Sequence, residues 1–466
     1  MWQYAVKGRS VIDLPLIDTE IFKNNNMEIS TFIIKSNLDA EDKVLLYNTR
    51  TTALIKIDNQ LYNKVFIDKD FSDTKLIQQL YTMGFVVKSH EEELEILDAM
   101  RMNELDNPTQ SVVILPTRDC NARCFYCFEE GLERYSMTKE TATHTVDFIK
   151  KFYDRKELSI VWFGGEPLMN FPMIEYITRE LNKYSYEINT LVVTNGSLLT
   201  HDILEFFVSN YKHVVFQITL DGIDKKYSDV KRYRDITPDE AFNRVIGNIK
   251  MVLRANIPIQ LRVNFLTSKI DEAKHTYEYI LGLLSDVDTS NLYIYMAPLD
   301  VKNDNEIISR FSCKDTEHPY LKLVKTQFNA GFPVNSIVGE KNNKTRLLRS
   351  FNIMPKCASC GITPHKRIIV DADGTLYKCH RLSGRKEWST GNVVDGVNTE
   401  CYPYRYFSSP FVDDDNCKKC NILPLCHGGC RANNIIYGHK HRCHDTKQVQ
   451  SEMVRLYYNE LMKENK

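Results

Sequence analysis

Residues 112–127 read VVILPTRDCNARCFYC, an apolar run that leads directly into three closely spaced cysteines. The run is rich in β-branched residues and predicts a buried strand. Cys120, Cys124 and Cys127 follow its end in a CxxxCxxC pattern. Three thiolates hold three irons of a cubane 4Fe–4S cluster and leave the fourth iron open to another ligand. A zinc loop is the alternative, but zinc sites prefer four ligands and no fourth lies nearby.

The chain around this stretch alternates between apolar runs and helical patterns. The predicted strands are 112–117, 159–163, 190–194, 214–220, 259–266 and 292–298, and the predicted helices are 138–153, 171–185, 200–210, 238–255 and 270–284. Such alternation is typical of βα units with a parallel sheet. Six units are too few for a closed eight-stranded barrel, so we expect an α/β fold built as a partial (β/α)6 TIM barrel.

Four chemically suggestive segments fall at predicted strand ends, where parallel βα folds place their active sites. They are the cysteine segment, Phe163-Gly-Gly-Glu-Pro167, Thr194-Asn-Gly196 and Thr219-Leu-Asp-Gly222. Glycines let the backbone approach a ligand closely. Each of the last three segments is by itself also typical of an ordinary turn.

Nine of the thirteen cysteines crowd between residues 357 and 443, in a loop-rich region with little apolar core. In a large chain without a secretion signal, such cysteines are more often metal ligands than disulfides. We therefore expect metal sites to hold this region together. A pair of zinc ribbons is the alternative to iron–sulfur clusters here.

The overall charge and hydropathy exclude several classes of protein. The 466 residues include 60 Lys plus Arg and 61 Asp plus Glu, so no global basic field attracts nucleic acid. The first residues lack an apolar signal segment, and no run reaches the roughly 18 apolar residues of a spanning helix. We expect a cytoplasmic protein that binds neither nucleic acid nor membrane.

Three domains are expected: 1–108, the barrel at 109–340, and the cysteine-rich region at 341–466. The first has β-like runs at 29–35, 43–48 and 53–57 and helical patterns at 72–83 and 91–104, which favours a winged-helix-like module. An exposed sheet edge there would bind a peptide as an added strand. The alternative is a domain that only packs against the barrel.

The CxxxCxxC pattern with Tyr126 before its third cysteine, followed by Gly-Gly-Glu-Pro after the second strand, resembles the radical S-adenosylmethionine (SAM) superfamily. The resemblance implies that Cys120, Cys124 and Cys127 hold a 4Fe–4S cluster that cleaves SAM to a 5′-deoxyadenosyl radical. It assigns cofactor binding to Tyr126, Gly164, Gly165, Glu166, Pro167, Thr194, Asn195, Thr219, Asp221, Arg232, Arg262 and Asn264. For Arg232, Arg262 and Asn264, a salt bridge or a satisfied strand amide is the competing interpretation.

The later cysteines resemble the SPASM domain of radical SAM enzymes that modify peptides and proteins, by their spacing from Cys360 to Cys443. The resemblance implies an outer auxiliary 4Fe–4S cluster on Cys417, Cys420, Cys426 and Cys443. It implies an inner one on Cys360, Cys379 and Cys430, with Cys357 either completing the ligand set or leaving an open iron. The implied cofactors are three 4Fe–4S clusters and SAM, and the implied electron donor is a flavodoxin or ferredoxin.

His380 directly follows Cys379. At this position, sulfatase-maturing members of the family carry an Asp that serves as general base, whereas several thioether-forming maturases carry a His. Residues 28–104 resemble, more weakly, the recognition element of enzymes that modify ribosomally made peptides. The resulting hypothesis is a peptide maturase that binds a precursor's leader and forms a cysteine thioether, with His380 as a catalytic candidate. The alternatives are a carbon–carbon or carbon–oxygen crosslink, a sulfatase maturase, and a zinc-stapled peptide-binding scaffold without catalysis.

Overall fold

The fold is seen in a computed structural model. It describes residues 27–38, 41–106, 110–221, 231–265, 272–298, 301–303, 306–308, 321, 348, 351, 353–356, 365–408, 414–437 and 449–464. Three of the predicted cluster ligands, Cys357, Cys360 and Cys443, lie outside the described residues, as does Gly222.

The first part of the chain holds a three-stranded antiparallel sheet with helices beside it. Its elements are β1 (Glu28–Ile29), β2 (Ile33–Leu38), β3 (Lys43–Asn48), β4 (Leu54–Asp58), α1 (Asn59–Tyr62) with a π-helical continuation (Asn63–Ile67), α2 (Thr74–Thr82), β5 (Val86–Val87) and α3 (His90–Asp106). The sheet order is β2–β3–β4, and β1 pairs separately with β5. Strands and helices thus occur close to the segments where the sequence predicts them. Val44 and Leu46 face the helices on one side of the sheet, and Leu45 and Tyr47 face the other.

The six strands predicted for the barrel are all present and run parallel in one sheet. The elements in chain order are β6 (Ser111–Ile114), β7 (Ala122–Cys124), α4 (Lys139–Phe152), β8 (Glu157–Trp162), α5 (Phe171–Asn182), β9 (Glu187–Thr194), α6 (His201–Asn210), β10 (His213–Thr219), β11 (Lys231–Tyr233), α7 (Pro238–Arg254), β12 (Ile259–Phe265), α8 (Glu272–Leu283) and β13 (Leu292–Pro298). The spatial order is β13–β12–β10–β9–β8–β6. The α/β partial barrel is therefore confirmed.

Local sequence explains where the barrel helices begin. Thr138, Thr200 and Thr237 each precede a helix and accept a backbone N–H from its first turn. The helices bury one face against the sheet, because their apolar residues recur at helical spacing. On the sheet, the indole N–H of the buried Trp162 donates to the Tyr211 hydroxyl at 3.0 Å. No helix within the described ranges is both long enough and apolar enough to cross a bilayer.

The cysteine-rich region continues the barrel sheet, which the sequence analysis did not foresee. Its elements, with those just before it, are β14 (Val301–Asn303), β15 (Glu306–Ile308), β16 (Arg367–Val370), β17 (Thr375–Tyr377), β18 (Gly391–Asn392), β19 (Gly396–Val397), α9 (Tyr402–Ser408), α10 (Asp415–Lys418), α11 (Leu423–Cys426), α12 (Arg431–Tyr437) and α13 (Gln450–Glu464). β16 pairs parallel with β6, and β17, β18 and β19 extend the sheet antiparallel beyond it. Ile368, Val370 and Leu376 are fully buried in the barrel core. The expectation of little core here was wrong for this segment.

The N-terminal sheet packs on the cysteine-rich region. Ile34 and Tyr47 share an apolar cluster with Met453 and Tyr457 of α13. The Tyr47 hydroxyl also donates to the Ile353 carbonyl at 2.6 Å. The module is therefore held against the far end of the chain.

Candidate active site at the carboxyl ends of the barrel strands

The three cysteines lie on a loop that follows β6 and is held by a small second sheet. β7 pairs antiparallel with β11, so Cys124 stands opposite Lys231 and Arg123 opposite Arg232. The Cys127 N–H donates to the Cys124 carbonyl at 3.1 Å, which closes a turn. This pairing was not predicted, because three-residue strands leave no periodic signal. Arg232, a predicted cofactor ligand, is exposed on β11.

The three thiols are free and partly buried. Burial raises the pKa of Cys120 to about 12 and that of Cys124 to about 11. In the ligand-free chain these thiols therefore keep their protons, and a metal centre would displace them. No three His, Cys, Asp or Glu side chains of the described residues are arranged to hold a single metal ion. A cubane takes each thiolate on a different iron, so one loop with three free thiols fits that group.

Gly164 and Gly165 allow the turn after β8 to lie directly on the cysteine loop. A Cβ at Gly164 would stand 2.3 Å from the Thr117 carbonyl oxygen, and one at Gly165 would stand 2.3 Å from the Asp119 carbonyl oxygen. The Glu166 N–H donates to that Asp119 carbonyl at 2.9 Å. Glycine is therefore required at both positions, and the turn fixes the backbone immediately before Cys120.

Glu166 is fully buried and joins the ends of two strands. Its carboxylate accepts the Thr194 hydroxyl at 2.7 Å, the Asn195 N–H at 2.7 Å and the Leu168 N–H at 3.2 Å. Burial raises the pKa of Glu166, and these three donors act in the opposite direction. A carboxylate has about four acceptor positions. One position therefore remains for an ammonium donor, and the main role of Glu166 in this structure is to align the strand ends.

Asn195 extends this alignment to the cysteine loop. Its amide donates to the Asn121 side-chain oxygen at 2.8 Å, and its own oxygen accepts the Ser197 hydroxyl at 2.6 Å. Asn121 in turn donates to Ser197 at 3.0 Å. Thr194 and Asn195 are therefore both joined, directly or through Glu166, to the loop that carries the cysteines.

A second buried group joins Asp221, at the end of β10, to the cysteine loop. The Tyr126 hydroxyl donates to the Asp221 carboxylate, and the Asn264 N–H donates to it at 3.2 Å. Burial and the neighbouring Asp221 charge raise the pKa of Tyr126. Lys231 donates to the Thr219 carbonyl at 2.7 Å and lies 3.6 Å from Asp221. Four predicted cofactor residues, Tyr126, Thr219, Asp221 and Asn264, are thus brought together, with Lys231 as an addition that the sequence analysis missed.

Arg262 and Asn264 occupy β12, the next strand. The Arg262 Nε donates to the Asn264 side-chain oxygen at 2.8 Å. Asn264 is buried and Arg262 half-buried. The guanidinium is thus oriented by its neighbour toward the strand ends.

His380 comes from the cysteine-rich region but lies at the same strand ends. Its ring packs 5.1 Å from the Phe163 ring and 6.2 Å from the Phe128 ring, measured between centroids. Burial, with the nearby charges of Arg367, Arg381 and Arg262, lowers the pKa of His380 to about 4. At neutral pH the imidazole is therefore uncharged, and its lowered pKa makes it a weaker base than an exposed histidine. Its predecessor Cys379 is buried.

The remaining described cysteines lie farther along the chain. Cys417 lies within α10, Cys426 ends α11, and Cys420 lies between these helices. Cys420 and Cys426 pack against the apolar cluster that α13 shares with the N-terminal sheet. Cys430 is exposed.

Arg118 is a further residue that sequence reasoning missed. It is buried directly before the cysteines, 3.6 Å from Asp371 and 3.7 Å from Glu129. Its guanidinium also donates to the Ser383 carbonyl at 2.7 Å. An isolated arginine in a polar segment carries no sequence signal, so only the fold reveals that it ties the cysteine loop to the turn after His380.

This fold and site define an enzyme that works at the open end of a partial barrel, with a three-cysteine loop at its centre. Residues 114–280 match the model of the radical SAM superfamily. A radical SAM domain works with one 4Fe–4S cluster and SAM, which argues against the scaffold without catalysis.

Among curated proteins, the chain is similar to the radical SAM cyclopropyl synthase TigE of Paramaledivibacter caminithermalis. The identity is 24% over 447 residues, covering 86% of each chain. It is also similar to a cysteine-type anaerobic sulfatase-maturating enzyme of Clostridium perfringens, at 23% identity over 77% of this chain and 95% of the relative.

Among solved structures, the fold is shared with Streptococcus suis SuiB bound to the precursor peptide SuiA. The TM-score is 0.50 at 16% identity, with 89% of this chain and 97% of SuiB covered. At this identity the likeness concerns the fold, from the N-terminal module through the cysteine-rich region.

Proposed function

We propose that the chain is a radical SAM maturase that forms a cysteine thioether in a ribosomally made precursor peptide. The observation that carries the proposal is the contact of the Gly164–Gly165 turn with the backbone before Cys120, because it brings the cysteine loop and the cofactor segment to one place. When bound, the cluster and SAM supply a 5′-deoxyadenosyl radical that removes a hydrogen atom from the substrate. Asn195, Asp221 and Tyr126 hold the loop in position around that chemistry.

The cysteines that the family resemblance assigns as ligands would hold the clusters. Cys120, Cys124 and Cys127 would ligate the SAM cluster. The outer auxiliary cluster would use Cys417, Cys420, Cys426 and Cys443, and the inner one Cys360, Cys379 and Cys430 with or without Cys357. Support for the auxiliary sites comes from α10, α11 and the turn between them, which carry Cys417, Cys420 and Cys426 within ten residues of sequence.

A peptide substrate is supported by the edge of the N-terminal sheet. At the end of the β3–β4 ladder the Asn48 N–H donates to the Ala53 carbonyl. Because backbone groups of successive residues in a strand point to opposite sides, the N–H and C=O groups of Leu54 and Lys56 point away from β3. Within the described part of the chain, no hydrogen bond engages these outward groups. The opposite edge at β2 is partly occupied, because Asn421 donates to the Ile33 carbonyl at 3.2 Å. The β4 edge is therefore the one that would accept a leader peptide as an added strand.

His380 favours crosslinking over sulfatase maturation. It stands at the strand ends as an uncharged imidazole, in the position where the sulfatase-maturing pattern expects an Asp. The N-terminal module would also have no use in a reaction on a protein without a leader. The similarity to the Clostridium perfringens maturase keeps that reaction as an outcome to test.

A carbon–carbon crosslink is the second candidate. It is favoured by the similarity to TigE, which extends over 86% of both chains. TigE is named as a cyclopropyl synthase. Both candidates use the same SAM cluster site and differ only in the group that attacks the activated carbon.

The test begins with anaerobic reconstitution of the full chain. Three cubanes require about twelve irons and equal sulfide per chain, whereas stoichiometric zinc without sulfide would contradict the cluster assignments. Cys124→Ala is expected to abolish cleavage of SAM to 5′-deoxyadenosine, and Cys417→Ala to leave part of that cleavage while blocking product. Cys401→Ala is the matched control, since Cys401 has no assigned ligand role and its thiol donates to the Asn398 carbonyl at 3.1 Å.

The product is then determined with a short precursor-like peptide from an open reading frame neighbouring the gene, where one is found. A thioether removes two hydrogens and protects one peptide cysteine from alkylation. The same mass change with every cysteine still alkylated would refute the thioether and support a carbon–carbon or carbon–oxygen bond. Conversion of a sulfatase peptide's cysteine to formylglycine, without modification of the neighbouring peptide, would refute both.

A further inference from the structure

Lys231 is a buried cation directly beneath the cysteine loop. Its side chain is 3% exposed. The ammonium donates to the Thr219 carbonyl at 2.7 Å and lies 3.6 Å from the Asp221 carboxylate. On the small sheet, Lys231 is the residue opposite Cys124. The resemblance that selects Arg232, its neighbour, as a cofactor residue does not assign it a role.

The charges around Lys231 are mainly negative. Asp221 is its ion-pair partner, Tyr126 donates to the same carboxylate, and Glu166 is buried at the neighbouring strand end. The Lys231 charge reaches both Cys120 and Cys124, where it opposes the effect of burial on the pKa of the thiols. Arg232 is exposed and therefore screened by water. Lys231 is thus the buried positive charge that faces the proposed cluster site from β11.

A cubane bound by three thiolates becomes more negative when it is reduced. Its reduction potential depends on the net charge, hydrogen bonds and solvent exposure around it. A cation fixed in a water-poor site stabilises the reduced form more than a surface cation does, because the effective dielectric constant is lower.

We propose that Lys231 is a positioning residue that holds a fixed positive charge beside the SAM cluster and raises its reduction potential. This inference rests on the proposed cluster at Cys120, Cys124 and Cys127. The hydrogen bond from Lys231 to the Thr219 carbonyl and its ion pair with Asp221 keep the ammonium in place. The charge makes electron uptake by the cluster easier.

The test uses the reconstituted full chain and compares Lys231→Gln with Lys231→Arg. Gln keeps a donor for the Thr219 carbonyl but loses the charge, and Arg keeps the charge. The readout is the midpoint potential of the SAM cluster. It is measured from the electron paramagnetic resonance signal of the reduced cluster, which is identified by its change when SAM is added. Lys212→Gln, just before the opposite end of β10 and paired on the surface with Glu187, is the matched control.

We expect Lys231→Gln to lower the equilibrium constant for reduction about tenfold, equivalent to about 59 mV for one electron. Lys231→Arg and Lys212→Gln should stay near the unmodified protein. An unchanged potential in Lys231→Gln with full iron content would overturn the proposal. Loss of iron in Lys231→Gln and in a second neutral variant, Lys231→Met, would also overturn it, because the residue would then serve assembly. Absence of any SAM-sensitive signal in the unmodified protein would instead refute the proposed cluster site.

Discussion

Arg118 is the cation of a buried ionic cluster, and replacing it with methionine is expected to destabilise the chain by about 3 kcal/mol. Arg118 is 3% exposed, and its guanidinium lies between two buried carboxylates, Asp371 at 3.6 Å and Glu129 at 3.7 Å. Methionine fills a similar volume, so the loss concerns charge and hydrogen bonding more than packing.

The magnitude follows from what Arg118 leaves behind. Removing one partner of a buried ion pair costs about 3–5 kcal/mol, and the hydrogen bond to the Ser383 carbonyl adds about 1.5–3 kcal/mol. Part of this is offset, because burial already raises the pKa of Glu129 to about 7 and that group takes up a proton readily. A net loss near the lower limit is therefore expected, or an apparent Tm lower by about 5 °C.

Thermal unfolding of the reconstituted protein measures the effect, with Arg254→Met as the surface control. Arg254 has a side chain 61% exposed and pairs with Asp286, so its loss should cost under about 0.5 kcal/mol. Asp371→Asn should destabilise the unmodified chain but partly rescue Arg118→Met, since it removes the stranded charge. Equal effects of Arg118→Met and Arg254→Met, or no rescue, would refute this reasoning.

Two further predictions follow from buried contacts. Gly165→Ala would place a Cβ 2.3 Å from the Asp119 carbonyl oxygen, so formation of 5′-deoxyadenosine should fall at least about tenfold. The control is Gly247→Ala in α7, where a Cβ would meet open space and should raise the free energy of unfolding by about 0.5–1 kcal/mol. Equal activity of the two variants would contradict the prediction. Burial raises the pKa of Glu93 against its hydrogen bonds from Ser30 and Thr31. The unfolded chain therefore loses this proton first as pH rises above 4.5, and stability falls toward the folded pKa. The unfolding midpoint of Glu93→Gln should accordingly rise relative to that of the unmodified chain as the pH increases above 4.5. A difference that does not depend on pH would count against this explanation.

The barrel was predictable because its signals are local and repeated. Apolar runs of β-branched residues mark β6 and β10, and threonine caps mark the beginnings of α4 and α7. Predicted and observed helix bounds therefore differ by only a few residues. The cysteine and glycine segments were equally visible, since their spacing is short and their chemistry specific.

The extension of the sheet by β16 was missed although a signal was present. Residues 367–378, RIIVDADGTLYK, hold two apolar runs around an Asp-Gly turn, which is a strong hairpin pattern. The concentration of cysteines nearby directed the interpretation toward a region held mainly by metal. The roles of Arg118 and Lys231 were not predictable, because the sequence around a charged residue in a polar segment does not show whether its side chain is buried or exposed.

The parallel pairing of β16 with β6 has a consequence for synthesis of the chain. Ser111 meets Arg367, about 250 residues later, so one edge of the first barrel strand stays unpaired until most of the chain has left the ribosome. Such non-local pairing is slow, and an open apolar edge is prone to association with other chains. Truncation before residue 367 should therefore yield an aggregating product, even though the segment matched by the family model ends at residue 280.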